Sequence, residues 1–254
     1  MSTGSPRNGH SRWPTRSVSA PGPGRNLDVN PALGPAPDRR AMLVGVLGVL
    51  VVEFALRNVL VPATATEAGV RLAVSLEWVL LAALLVWWVP RIEHGSWADI
   101  GFGPFRARYV WVGAGWFVAA TVVSAGVGAG LNAVGLPSLA DLQPALAGYA
   151  WPTLAALAVT GAVFEEVVYR GYLIERIVLL TGRIWVAATI SWVAFTSMHL
   201  GFFGLGATLN AGVLSAALVW LYVRERNLWP VVVLHSLNSI FAYLLVPLMP
   251  AGAG

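Results

Sequence analysis

Cysteine and lysine are both absent from the 254-residue sequence, and charged residues make up only 11% of it. Without cysteine, the chain has no disulfide, no thiolate nucleophile and no cysteine-ligated zinc or iron–sulfur site. Soluble globular domains carry about 25% charged residues, whereas this chain is 57% hydrophobic with a mean hydropathy of +0.70. The composition therefore predicts an integral membrane protein in contact with the lipid bilayer and argues against a nucleic-acid partner.

The chain divides into a polar N-terminal segment and a long apolar remainder. Residues 1–40 are rich in proline, glycine, serine and arginine, which predicts a disordered tail because such a segment cannot bury enough apolar surface to fold. Residues 41–250 contain apolar runs close to the ~20 residues that cross a bilayer. The sequence predicts an all-α, polytopic helical membrane protein with about seven transmembrane helices, at 41–61, 68–89, 110–134, 151–178, 184–200, 207–223 and 228–248.

The arginines predict how this bundle is oriented. Six of the 16 arginines precede the first span, and others fall in alternate connections, whereas the connection 201–206 has none. We assign Arg176 and Arg183 to one arginine-bearing connection, between the fourth and fifth spans. By the positive-inside rule, the chain is a multi-pass protein of the cell membrane with a cytoplasmic N-terminus.

Several ionisable residues lie inside the predicted spans, where a charge costs about 2.5–3.5 kcal/mol on insertion scales and marks a functional site by default. In the first span, Glu53 and Arg57 are spaced i, i+4, which predicts that they pair with each other. The fourth span carries Glu165, Glu166 and Arg170. The i, i+4 spacing pairs Glu166 with Arg170, and this leaves Glu165 as a carboxylate without a counter-charge.

Two histidines lie in later spans: His199 ends the fifth, and His235 lies in the seventh, shortly before Asn238. Polar groups in hydrocarbon need partners, so we expect Glu165, His199 and His235 to converge. Two chemistries remain open. The three side chains can ligate a catalytic zinc ion, or Glu165 and His199 can activate water without a metal. In the second case His235 and Asn238 polarise a carbonyl group; the absence of a His-Glu-x-x-His motif favours this case.

These residues resemble the motifs of the CAAX-prenyl-protease-type (CPBP or Abi) intramembrane endopeptidases. The Glu-Glu-x-x-x-Arg motif spans 165–170, and the Phe-x-x-x-His motif runs from Phe195 to His199. The His-x-x-x-Asn/Asp motif begins at His235 but departs from the pattern, because its fourth following position is Ser239 and the asparagine comes one residue early, at Asn238. The resemblance covers about residues 96–245.

The resemblance implies an endopeptidase that hydrolyses peptide bonds of a membrane-embedded or lipidated protein or peptide substrate. It assigns the activation of water to Glu165 and His199. It assigns stabilisation of the tetrahedral intermediate to His235 and Asn238, with the ion pair of the fourth span fixing the geometry. The alternatives are a non-catalytic binding or immunity-type protein that uses the same polar cavity, and a proton-coupled transporter, for which the sequence shows no inverted repeat.

Overall fold

The computed structural model describes residues 38–60, 66–139 and 148–245. These residues form seven helices and no β-strand, and they all belong to one compact unit, Pro35–Gly254. The first helix begins at Arg39, where the backbone N–H of Arg40 donates to the carboxylate of Asp38 and caps the helix. The predicted tail, residues 1–40, therefore lies almost entirely outside the described residues.

The helices follow the predicted order. They are α1 (Arg39–Val59), α2 (Glu67–Ile92), α3 (Arg108–Ala133), α4 (Trp151–Thr181), α5 (Ile184–Ser197), α6 (Leu200–Glu225) and α7 (Leu228–Leu245). Within the described residues, six helices are long and apolar enough to cross a membrane, and α5 is a shorter apolar helix of 14 residues. The predicted all-α, polytopic membrane fold is confirmed. The fifth predicted span is shorter than expected, since 14 residues rise only ~21 Å.

Helix α4 is the central element of the bundle, because it packs against α1, α2, α5, α6 and α7. Its middle part, Gly161–Leu173, takes π-helical turns, and most of these residues are buried. Turns of this kind are rare and occur frequently at functional sites. Three of the buried residues are charged: Glu165, Glu166 and Arg170.

The connection between α2 and α3 is fastened to the end of α4 by a buried polar network. The carboxylate of Glu93 accepts hydrogen bonds from Arg176 (2.6 Å), Tyr172 (2.5 Å) and Trp88 (3.1 Å). The prediction that Arg176 lies in the connection between the fourth and fifth spans is therefore wrong: α4 continues to Thr181, and Arg176 is only 2% exposed. Glu93 compensates its charge inside the protein.

The reversal between α5 and α6 is tighter and earlier than the predicted turn at 201–206. The chain turns at Met198 and His199, and Gly204 then interrupts α6 with a φ of +74° and a ψ of 177°. That backbone conformation is available essentially to glycine alone. Because α5 ends at Ser197, His199 lies in this turn. Its side chain lines the cavity described next.

Candidate active site

A cavity of about 530 Å³ lies among the helices, and each of the seven contributes to its wall. The three side chains that were expected to converge, Glu165, His199 and His235, all line it. Much of the remaining wall consists of small and apolar residues, as is usual for a binding cavity. The charged and polar residues of the wall include Arg57, Glu77, Glu165, His199, His235, Asn238 and Ser239.

Glu166 is fully buried and joins two elements of the site. Its Oε1 accepts a hydrogen bond from Arg170 Nη1 at 2.9 Å and lies 2.7 Å from His235 Nδ1. Arg170 also donates to the hydroxyl of Ser215 at 3.2 Å, and its guanidinium lies 4.1 Å from the centre of the Phe195 ring. The predicted Glu166–Arg170 pair is thus present, and it also holds the histidine of α7.

The contact with Glu166 defines the orientation of His235. A carboxylate only accepts hydrogen bonds, so His235 donates from Nδ1. Its Nε2 then points towards Glu165, 3.8 Å from Oε2. In the neutral ring, Nε2 therefore carries a lone pair and can accept a hydrogen bond.

His199, in the turn after α5, is held in a similar way by a residue of that helix. Its Nδ1 lies 2.8 Å from the carbonyl oxygen of Phe195, to which it donates. The ring also packs against Phe195, at 4.8 Å between centroids, and stacks on Phe203 at 5.3 Å. With Nδ1 occupied, Nε2 is the nitrogen that His199 has available for another partner.

Glu165 has a counter-charge that the sequence did not reveal. Nη2 of Arg57 lies 2.7 Å from Oε1 of Glu165 and 2.7 Å from Oε1 of Glu77, whereas Nε of Arg57 is 3.6 Å from Glu53. The prediction of an uncompensated Glu165 is therefore wrong. The predicted Glu53–Arg57 pair is the longest of the three contacts, because carboxylates from α2 and α4 approach the guanidinium more closely than the neighbour on its own helix.

The departure in the third motif concerns two adjacent residues, and both line the cavity. Asn238 is half-buried, and Ser239 is 3% exposed.

Sequence reasoning missed the importance of Gly161, which lies one turn before Glu165. A Cβ atom at Gly161 would lie 3.6 Å from Nε2 of His235, 3.7 Å from Oγ of Ser239 and 3.9 Å from Cδ of Glu165. These three groups therefore face one point that the missing side chain leaves open.

The possible zinc ligands Glu165, His199 and His235 do not form a preorganised metal site. In the described part of the chain, no group of three histidine, aspartate or glutamate side chains is placed to hold a metal ion. One oxygen of Glu165 is already bound by Arg57 at 2.7 Å. We therefore derive no reaction step through a metal.

The fold and this cavity define a polytopic helical membrane protein with a buried carboxylate–imidazole site. Residues 147–241 match the family model described as type II CAAX prenyl endopeptidase Rce1-like. The matched segment includes all three motifs, and the match confirms the family resemblance that they indicate. It supports a protease of the CAAX type. No curated protein and no solved structure matched the chain.

Proposed function

We propose that the protein is an intramembrane endopeptidase that hydrolyses peptide bonds in a membrane-embedded or lipidated protein or peptide. The observation that carries this proposal is the meeting of Glu165, His199 and His235 in one cavity among membrane-spanning helices. The family match over 147–241 supports the same reaction class. The class of substrate, including the lipid that it carries in one of the two cases, is part of this proposal.

The first step is the attack of water on the scissile carbonyl carbon. Glu165 accepts one proton from the water as general base, and the free Nε2 of His199 accepts a hydrogen bond from the other hydrogen and orients the water. The water oxygen forms the new bond to carbon, and the carbonyl oxygen takes up the negative charge. The two residues thereby generate the nucleophile inside the cavity.

The second step needs donors for the developing oxyanion, which is a large catalytic effect in a water-poor site. We assign this role to the side chains of Asn238 and Ser239 and to His235, which donates when its Nε2 also carries a proton. Glu166 holds the His235 ring at Nδ1. Glu165 then passes its proton to the leaving nitrogen as the C–N bond breaks. This transfer returns Glu165 to its carboxylate form, the oxyanion re-forms the carbonyl group, and a carboxylic acid end and an amine end are released.

The test is a comparison of peptide ends in membranes from cells that carry the wild type, Glu165→Gln or Glu67→Gln. Glu67 is a matched control, because it also pairs with an arginine, Arg71, but at the exposed start of α2. We expect some peptide ends to occur with the wild type and Glu67→Gln and to disappear with Glu165→Gln at equal protein levels. Identical ends in all three samples contradict the proposal. Biological protection retained by Glu165→Gln favours the immunity-type alternative.

We also propose that the N-terminus is cytoplasmic and that the protein lies in the cell membrane. Arg183, between α4 and α5, and Arg224, at the end of α6, are exposed and flank alternate connections, which supports this orientation. The cysteine-free sequence allows a direct test with single cysteines. An impermeant maleimide should label Arg183→Cys only from the cytoplasmic side, and Val134→Cys, at the exposed end of α3, only from the other side. The reverse pattern contradicts the orientation.

A further inference from the structure

Arg57 connects three helices at the proposed active site, although it lies outside the segment that matches the family. It is close to the end of α1, and a single nitrogen, Nη2, lies 2.7 Å from Glu77 on α2 and 2.7 Å from Glu165 on α4. Charge-assisted hydrogen bonds of this length are roughly twice as strong as neutral ones. The guanidinium therefore ties the carboxylate of α4 to the first two helices.

This contact determines how Glu165 presents itself to the cavity. Arg57 occupies Oε1, and the other oxygen, Oε2, is the one that faces Nε2 of His235, at 3.8 Å. A carboxylate without such a clamp can rotate and present either oxygen in several directions. Holding a catalytic group in one geometry contributes substantially to the rate of a reaction, and a displacement of about 1 Å can cost about 100-fold.

We propose that Arg57 is a positioning residue that fixes Glu165 through one carboxylate oxygen, with Glu77 as its anchor on α2. The inference rests on the hydrolytic function proposed above and adds two residues to the machinery of that site. Glu77 and Glu165 are nearly inaccessible, with side chains 6% and 7% exposed, whereas the Arg57 side chain is 23% exposed and lines the cavity. The clamp is therefore part of the cavity wall and not a contact remote from it.

The arrangement also differs from a simple ion pair. One guanidinium meets three carboxylates, since Glu53 lies 3.6 Å from Nε in addition to the two contacts at Nη2. Neutralising Glu165 alone would need a single pair. The second strong contact, with Glu77, restrains the guanidinium itself, and this is the property that a positioning residue needs.

The reactivity of Glu165 towards dicyclohexylcarbodiimide tests the clamp without any substrate. The full-length protein is purified in lipid nanodiscs and treated with the reagent, and the adducts on individual glutamates are quantified by mass spectrometry. A carboxylate held by a guanidinium reacts slowly, because one of its oxygens is engaged and the guanidinium stabilises the negative charge that is lost in the reaction. In Arg57→Gln we expect the adduct on Glu165 to form about tenfold faster, a ratio equivalent to about 1.4 kcal/mol. Glu166, held by Arg170 and His235, is the internal reference and should not change.

Further variants keep the test decisive when Arg57→Gln does not fold. Removing one partner of a buried ion pair is far more disruptive than removing both. For this reason we use the double variant Arg57→Met/Glu77→Gln, which removes one positive and one negative charge together. It should fold and show the same increase at Glu165. Arg57→Lys should restore part of the protection, and Arg71→Gln, which breaks an exposed 2.6 Å pair on α2, should label like the wild type. An unchanged rate at Glu165 in the double variant overturns the proposal.

A cleavage assay distinguishes this inference from the proposed function. With a substrate identified by the comparison of peptide ends, Arg57→Gln should lower kcat by about 100-fold and change KM by less than about threefold, the pattern of a lost transition-state interaction. An unchanged kcat overturns the catalytic part of the inference. If the wild type cleaves nothing while Glu165 is selectively exposed in Arg57→Gln, hydrolysis is refuted and the clamp on Glu165 still stands.

Discussion

Substitutions in the Glu166–Arg170 pair measure how much this pair stabilises the protein, separately from catalysis. Both side chains are fully buried, and the pair is 2.9 Å long. Arg170 also donates to Ser215 and lies over the ring of Phe195. Within the described structure, however, Nε of Arg170 and Oε2 of Glu166 are buried without a hydrogen-bond partner. The pair therefore does not recover the full cost of its own desolvation.

This balance gives different expectations for the single and double substitutions. Arg170→Met leaves Glu166 buried without its arginine, and breaking one side of such a pair costs about 3–5 kcal/mol. For a domain of this size, 1 kcal/mol shifts Tm by about 2–4 °C, so we expect a drop of at least about 6 °C. The double variant Arg170→Met/Glu166→Gln removes both charges and should recover most of this loss, with a coupling energy of at least about 1 kcal/mol.

Thermal unfolding in nanodiscs, followed by the fluorescence of the 12 tryptophans, measures both values. Arg108→Met is the matched control, because it breaks a shorter but exposed pair with Glu225 at 2.6 Å, which should cost less than about 1 kcal/mol. The reasoning is refuted if Arg170→Met is no more destabilising than Arg108→Met. It is equally refuted if the double variant is as unstable as the sum of its single substitutions.

Two further predictions concern the reactive part of the cavity. Gly161→Ala adds a methyl group in ordinary van der Waals contact with the reactive side chains, so stability should stay within about 1 kcal/mol while cleavage falls by at least about tenfold. Gly115→Ala, which meets nothing within 4 Å, is the control, and equal cleavage in both variants would contradict the site. We also expect Ser239→Ala to lower kcat by about 100-fold and more than Asn238→Ala does, because Oγ of Ser239 faces the same point as His235. A Ser239→Ala protein with wild-type kcat would assign the donor role to Asn238.

The parts of the fold and site that could be predicted follow from local rules. Apolar runs of sufficient length indicate membrane helices, and this holds for six of the seven predicted spans. The Glu166–Arg170 pair is a neighbour relationship within one helix, so its spacing was enough to predict it. The convergence of Glu165 with two histidines followed from the need of polar groups for partners in hydrocarbon.

The errors concern contacts between residues far apart in the chain. Arg57 was paired with its neighbour Glu53, since sequence spacing reveals only partners on the same helix, and the contact with Glu165 depends on how α1 packs against α4. Arg176 was assigned to the connection between the fourth and fifth spans because arginines mark alternate connections. Its actual partner, Glu93, lies 83 residues earlier. In both cases, a buried charge was compensated by a helix or connection whose position the sequence did not specify.

The residues of the site lie partly inside and partly outside the segment that matches the family. The matched residues, 147–241, carry all the motif side chains, yet the guanidinium that holds Oε1 of Glu165 comes from α1 and is anchored on α2. Both helices precede the matched segment. Because a buried carboxylate without a cation is costly, the motif-bearing helices alone leave Glu165 in an unfavourable state. The first two helices therefore complete the site, and Arg57 and Glu77 belong to it as much as the motif residues do.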